Sequence, residues 1–380
     1  MRRGVVVACV AVLLAGCGGS GASARHVALR VTPHTALIDT PVNVRLSGLR
    51  SGERVRVSAQ AGDADGARWT AGSTARGDEH GVANVDGGEL LAVMRPHGRA
   101  AISYIRPGMT TVRLTATIDG RTVASGAVER TVVASRVTRR VLTVGHDGLA
   151  GEFFSASAAR RVPVVVIGGS DGARPTLQAA LLAAHGHPAL ALSYFDAPGL
   201  PRELLRIPLE YFARGLRWVR SHTGAHRVAL VGTSRGGEGV LIIGSRFPAL
   251  VAGVVALVPS SQVGPSPTRQ DEPAWTIGGR PLPLYEPIPV ERIRGPVLIA
   301  SGGRDAVWPS ADYAREIQSR LHGWRFAHPN LSYPAAGHNV GFAIPFVPGY
   351  DAAQVGGTPA ADAAARAALW PRLLDFLDRL

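Results

Sequence analysis

The apolar run Val228-Ala229-Leu230-Val231 leads into Gly232-Thr233-Ser234-Arg235-Gly236, and a helix-like run, Glu238 to Phe247, follows. Gly-x-Ser-x-Gly between a strand and a helix is the setting of a nucleophile elbow. Gly232 and Gly236 leave room where neighbouring backbones approach. A strained Ser234 can then project its Oγ from the top of a sheet. The pentapeptide thus constrains fold and chemistry together.

The surrounding pattern fits such a sheet. Apolar runs without alternation recur at Val162 to Ile167, Ala189 to Leu192, Val251 to Val258 and Val297 to Ala300. Helix-like segments lie between them, at Pro175 to His185, Pro208 to Thr223 and Ser310 to His322. Apolar strands alternating with helices predict an α/β domain, a parallel sheet covered on both faces, over residues 137–380. Upstream, over residues 27–136, the runs alternate instead, as in Val42-Asn43-Val44-Arg45-Leu46 and Arg54-Val55-Arg56-Val57-Ser58. Period two with Asp119-Gly120 as a hairpin break predicts antiparallel strands in a β-sandwich. His34, His80 and His97 in that region read as surface residues.

The chain of 380 residues carries a net charge of +13 and contains no lysine, so every fixed positive side chain is arginine. The arginines are dispersed along the sequence. No basic run of the kind found in a nucleic-acid arm occurs, so a nucleic-acid partner is not expected. Both cysteines, Cys9 and Cys17, fall near the start. A disulfide framework, a cysteine-based metal site and a cysteine nucleophile in the body are therefore excluded.

Arg2-Arg3, an apolar run from Val5 to Leu14 and the small residues around Cys17 read as a secretory signal over residues 1–16. Leu14-Ala15-Gly16-Cys17 resembles a bacterial lipobox. That resemblance implies lipid on Cys17, a tether over residues 17–26 and an exported protein anchored on the outer face of the cytoplasmic membrane.

A serine hydroxyl needs a base to take its proton, and an elbow serine predicts an acid and then a histidine downstream. Asp305 follows the late apolar run Val297 to Ala300, and His338 lies in a loop before the last helix. Asp305 would fix the imidazole tautomer. The weaker alternatives are Asp271 and Glu272 in a Pro-rich loop, Asp312 on a helix, and His185, His187, His322 and His328. The oxyanion hole needs two backbone N–H groups. Arg235, next after the nucleophile, supplies one, and Ser170 in Gly168-Gly169-Ser170-Asp171-Gly172 is the choice for the other. No metal and no cofactor is implied.

Several linked motifs resemble one family, the acyl-CoA thioesterases and bile acid-CoA:amino acid N-acyltransferases. They are Gly168 to Gly172, the helix lead-in Ile207-Pro208-Leu209-Glu210-Tyr211-Phe212, the elbow, Ser301 to Ser310, Tyr333 to His338, and Gly356-Gly357-Thr358-Pro359. Ala36 to Val42 is similar to the opening of the family's N-terminal domain. The resemblance implies an α/β-hydrolase domain preceded by an immunoglobulin-like β-sandwich. Arg235 stands where family members often carry Lys, and Arg304 replaces one of a pair of acids in the acid loop. Asp305 is then the sole acid of that loop.

The expected activity is a serine hydrolase acting on acyl thioesters or esters, with acyl-CoA among the substrates. Coenzyme A is a cytosolic metabolite, so export and a coenzyme A substrate pull apart. Acyl transfer to an amine or alcohol would use the same residues, and a non-catalytic surface-binding role would leave the triad without purpose. The Pro-rich stretch Ser260 to Pro289, with Trp275, reads as a lid over the acyl pocket or as a packed surface loop. Oligomeric state, chain length and leaving group leave no mark in the sequence.

Overall fold

The computed structural model describes residues 25–98, 103–105, 108–134, 136–156 and 161–380. Cys17 and the leader lie outside the described residues.

The N-terminal strands are β1 (Ala28–Thr32), β2 (Thr35–Leu37), β3 (Asn43–Ser47), β4 (Arg54–Gly62), β5 (Arg68–Arg76), β6 (Ala83–Asp86), β7 (Arg95–Pro96), β8 (Met109–Ile118) and β9 (Arg121–Thr131), with α1 (Gly87–Ala92) after β6. They form a three-stranded sheet in the order β1-β3-β6 and a six-stranded sheet in the order β2-β9-β8-β4-β5-β7. Alternate residues point inward, because successive side chains of a strand face opposite ways. Val44 and Leu46 of one sheet join Val55, Val57, Val112, Leu114 and Val128 of the other in one buried cluster. His34, His80 and His97 are exposed.

The remaining strands are β10 (Val137–Leu142), β11 (Ala150–Ala156), β12 (Val164–Ile167), β13 (Ala189–Ser193), β14 (Ile207–Pro208), β15 (Val228–Thr233), β16 (Val251–Leu257), β17 (Trp275–Ile277), β18 (Arg280–Pro281), β19 (Val297–Gly302) and β20 (Asn330–Tyr333). The helices are α2 (Val144–Asp147), α3 (Thr176–Ala184), α4 (Leu209–Thr223), α5 (Arg235–Arg246), α6 (Ser310–Arg320), α7 (Ala352–Val355) and α8 (Pro359–Asp378). Eight strands make one sheet in the order β10-β11-β13-β12-β15-β16-β19-β20. From β13 onward the neighbours run parallel, while β11 is antiparallel to both β10 and β13.

These strands lack alternation because neither face meets water. Val164, Val166, Ala229 and Val231 pack with Leu182 of α3 and Leu369 and Leu373 of α8. Val165, Ile167 and Leu230 pack on the other side with Phe212 of α4, Val240 of α5 and Ile317 of α6. The α3–α8 layer also meets the N-terminal unit. The Asp39 carboxylate accepts from Trp370 Nε1 at 2.7 Å and pairs with His185 Nε2 at 2.5 Å. One buried cluster runs from the N-terminal sheets through α3 and α8 to the large sheet.

Candidate active site

The parallel strands β12, β15, β16 and β19 end on one edge of the sheet, and their loops hold the candidate residues. Ser234 follows β15 with φ 58° and ψ −119°, left-handed backbone that a non-glycine residue adopts only under constraint. Its N–H donates to Leu257 O at 2.9 Å, and its carbonyl accepts from Glu238 N at 3.0 Å, which opens α5. The flanking glycines are required. A Cβ on Gly232 would sit 2.1 Å from Gly236 O, and one on Gly236 would sit 2.3 Å from Gly168 O. Val258, at the end of the adjacent β16, also has positive φ, 42°. For a β-branched residue that is a true outlier, and strain of this kind clusters at functional sites.

The Gly168–Gly172 loop follows β12 and lies against the elbow: a Cβ on Gly169 would be 3.4 Å from Ser234 Cβ. Tyr194 Oη shares its proton between the carbonyls of Gly168 and Gly169, at 2.9 and 3.0 Å. Burial holds the Tyr194 hydroxyl in its neutral form, far above its ordinary pKa. Because a trans peptide is planar, turning the Gly169 carbonyl toward Tyr194 turns the Ser170 N–H the opposite way. The Arg235 N–H is the first of α5, where no intrahelical acceptor exists.

Asp305 lies three residues beyond β19. Its Oδ1 accepts from the N–H groups of Val307 and Trp308 at 3.0 and 3.3 Å. Its Oδ2 lies 2.7 Å from Nδ1 of His338. With Nδ1–H donating to the carboxylate, Nε2 of a neutral ring is left as the acceptor. Trp308 meets the His338 ring edge-on at 5.8 Å. His338 opens a short 3₁₀ turn, His338–Phe342. That turn is tied to the residue before Ser234, since Thr233 Oγ1 donates to Gly341 O at 2.7 Å.

Two buried carboxylates organise the site from behind, and nothing in the sequence marks them. Glu238 Oε2 accepts from Arg235 Nη1 at 2.5 Å, and its Oε1 accepts from Trp275 Nε1 at 2.7 Å and Gly264 N at 3.0 Å. Arg235 Nη2 donates to Pro265 O at 2.6 Å, and its guanidinium lies 5.3 Å from the Trp308 ring centre. Trp275 is thus a fully buried core residue, stacked on Tyr194, within the short sheet β14-β17-β18. The second carboxylate, Asp362 of α8, accepts from Gly337 N at 2.7 Å and from Asn339 Nδ2 at 3.0 Å. It clamps both neighbours of His338.

The rejected candidates have other partners. His187 contacts Val162 O and Asp378, Glu272 pairs with Arg206, and Asp312 pairs with Arg315 on the helix surface. Among the described residues no group of three or more His, Cys, Asp or Glu could hold a metal ion.

Strand order and elbow together define an α/β hydrolase. Residues 207–275 and 284–380 match the family described as BAAT / Acyl-CoA thioester hydrolase C terminal. Mouse acyl-coenzyme A thioesterase 1 is 26% identical, covering 90% of this chain and 93% of its own. Human mitochondrial acyl-coenzyme A thioesterase 2 is also 26% identical, over 90% and 81%. Mouse acyl-coenzyme A amino acid N-acyltransferase 1 is 24% identical, over 83% and 86%. Among solved structures, a dienelactone hydrolase-like phosphotriesterase from metagenomic libraries reaches a TM-score of 0.41 at 18% identity, covering 65% of this chain and 99% of its own.

Proposed function

We propose that the chain is a serine hydrolase that cleaves acyl thioesters or esters through an acyl-serine intermediate. Ser234 Oγ attacks the acyl carbonyl, and its proton passes to Nε2 of His338. The oxyanion so formed accepts from the Arg235 and Ser170 amides. Collapse breaks the bond to the leaving thiolate or alkoxide, which takes the proton from His338. Water then attacks the acyl-serine, giving one proton to His338. Release of the acid returns that proton to Ser234. Asp305 holds the ring tautomer and stabilises the imidazolium.

The observation that carries this reading is the 2.7 Å hydrogen bond between Asp305 and His338, on a turn anchored to Thr233 beside the strained Ser234. The relatives named as acyl-coenzyme A thioesterases favour a thioester substrate. The relative named as an N-acyltransferase favours, as a second reading, transfer to an amino acid. The proposal includes export and lipid anchoring through Cys17, which labelling with a radioactive fatty acid and a Cys17→Ser comparison would test.

The direct test is hydrolysis of a panel of acyl-CoAs and chromogenic esters, with and without amino acid acceptors. Wild type should form an acyl adduct on Ser234 detectable by mass spectrometry. Ser234→Ala should lose about 10⁶-fold in kcat. Equal activity of the two proteins would overturn the reading. Amide product in place of free acid would favour transfer.

A further inference from the structure

The arginines are dispersed in sequence but not on the surface. Period two in the six-stranded sheet sends every second residue outward. Arg54 and Arg56 of β4, Arg68 and Arg76 of β5, and Arg113 of β8 all take outward positions and are exposed. Among the described residues none of the five is in an ion pair. Among the described residues the one carboxylate at an outward position of these strands is Glu129 of β9, which accepts from Thr35 Oγ1. Other acids, such as Asp65 and Asp78, lie in the turns beyond the strand ends.

Arg54 and Arg76 stand directly opposite each other across β4 and β5. Like charges so placed destabilise a sheet, and among the described residues the one neutral acceptor of this pair is Gly52 O, which takes a hydrogen bond from Arg76 Nη1 at 3.1 Å. Arg56 lies flat across the neighbouring strand, where a Cβ on Gly72 would come within 2.5 Å of its Nη2. Met109, 56% exposed, projects from the same face two pleats from Arg113. Among the described residues the face carries no Phe, Tyr or Trp side chain, Trp69 of β5 being turned inward and buried, while the exposed imidazole of His97 meets Thr70 Oγ1 at 2.7 Å.

From this we infer that the outward face of the six-stranded sheet docks on an anionic lipid surface. A cationic face with an exposed apolar side chain fits a headgroup layer. It lacks the aromatic platforms that hold single-stranded nucleic acid. It has no projecting helix to enter a groove. The inference does not depend on lipid at Cys17 or on the reading of the catalytic residues.

The test is co-sedimentation of the full chain with vesicles of phosphatidylcholine alone or with about a third phosphatidylglycerol. Each arginine near an anionic surface contributes about fivefold in partitioning. Wild type should partition at least about tenfold more onto the anionic vesicles at low salt, and lose that preference near 0.5 M salt, where charges are screened within about 5 Å. Changing Arg54, Arg56, Arg68, Arg76 and Arg113 together to Ser should abolish the preference. A second variant with Arg202, Arg246, Arg269, Arg315 and Arg379 changed to Ser loses the same net charge and should keep it. Circular dichroism and thermal melting check that both variants are folded. Equal losses in the two variants, no preference in wild type, or tighter binding to a single-stranded oligonucleotide than to anionic vesicles would each overturn the proposal.

Discussion

Glu238→Gln tests the buried network behind the elbow. The native carboxylate is fully buried and receives three donors, Arg235 Nη1, Trp275 Nε1 and Gly264 N. An amide has one oxygen and one NH₂ group, so its NH₂ must face a donor on one side or the other. The guanidinium of Arg235, itself mostly buried, loses its counter-charge. Breaking a buried pair by removing one partner costs about 3–5 kcal/mol. For a catalytic region of this size, about 2–4 °C per kcal/mol converts that to a fall in Tm of about 6 °C or more. The same change frees Gly264 and Trp275, so the segment from Ser260 to Pro289 should become the first site of limited proteolysis. Calorimetry and mass mapping of the fragments read both effects. A Tm within about 1 °C of wild type, with an unchanged cleavage map, would refute the argument that one carboxylate holds this segment in place. Arg235→Met should cost less, and the double variant should show strong coupling between the two sites.

Further predictions follow from other contacts. Asp362→Ala removes the acceptor of Gly337 N and Asn339 Nδ2, so kcat should fall at least about tenfold while KM stays within about twofold, as for a residue acting through His338; a selective rise in KM would count against it. Gly236→Ala forces a Cβ against Gly168 O, and the protein should fail to accumulate in soluble form, whereas Gly145→Ala, where a Cβ meets nothing within 4 Å, should remain soluble. Burial lowers the pKa of His187 despite its contacts with Val162 O and Asp378. The unfolded chain therefore takes up the proton first as pH falls through about 6.5, and the contribution of the neutral ring, complete above that pH, is lost below it. Thermal midpoints at pH 7.5 and 5.5 should fall less in His187→Gln than in wild type.

How much of this could be read beforehand depends on how local each feature is. The strands of the large sheet were legible because burial on both faces erases alternation, as in Val164 to Ile167. The elbow was legible because its tight turn demands Gly232 and Gly236. The order of Ser234, Asp305 and His338 could be read, but the distances between them depend on strand order, which the sequence does not state. Trp275 read as part of a lid or of a packed surface loop because it sits in a Pro-rich stretch, and it is core, stacked on Tyr194 and bonded to Glu238. Glu238 and Asp362 look like ordinary helix-surface acids, and only partners far along the chain make them interior ones. The arginines looked scattered because a linear reading does not collect every second residue of three adjacent strands.

The shared layer of α3 and α8 has a consequence for any dissection of the molecule. Trp370 and His185 reach out of the catalytic half to a single carboxylate, Asp39, in the other half. Removing the first 136 residues would strip the cover from one side of that layer and leave its tryptophan facing water. Expressed without them, the catalytic half should therefore melt below the full chain, because the N-terminal half covers part of its core.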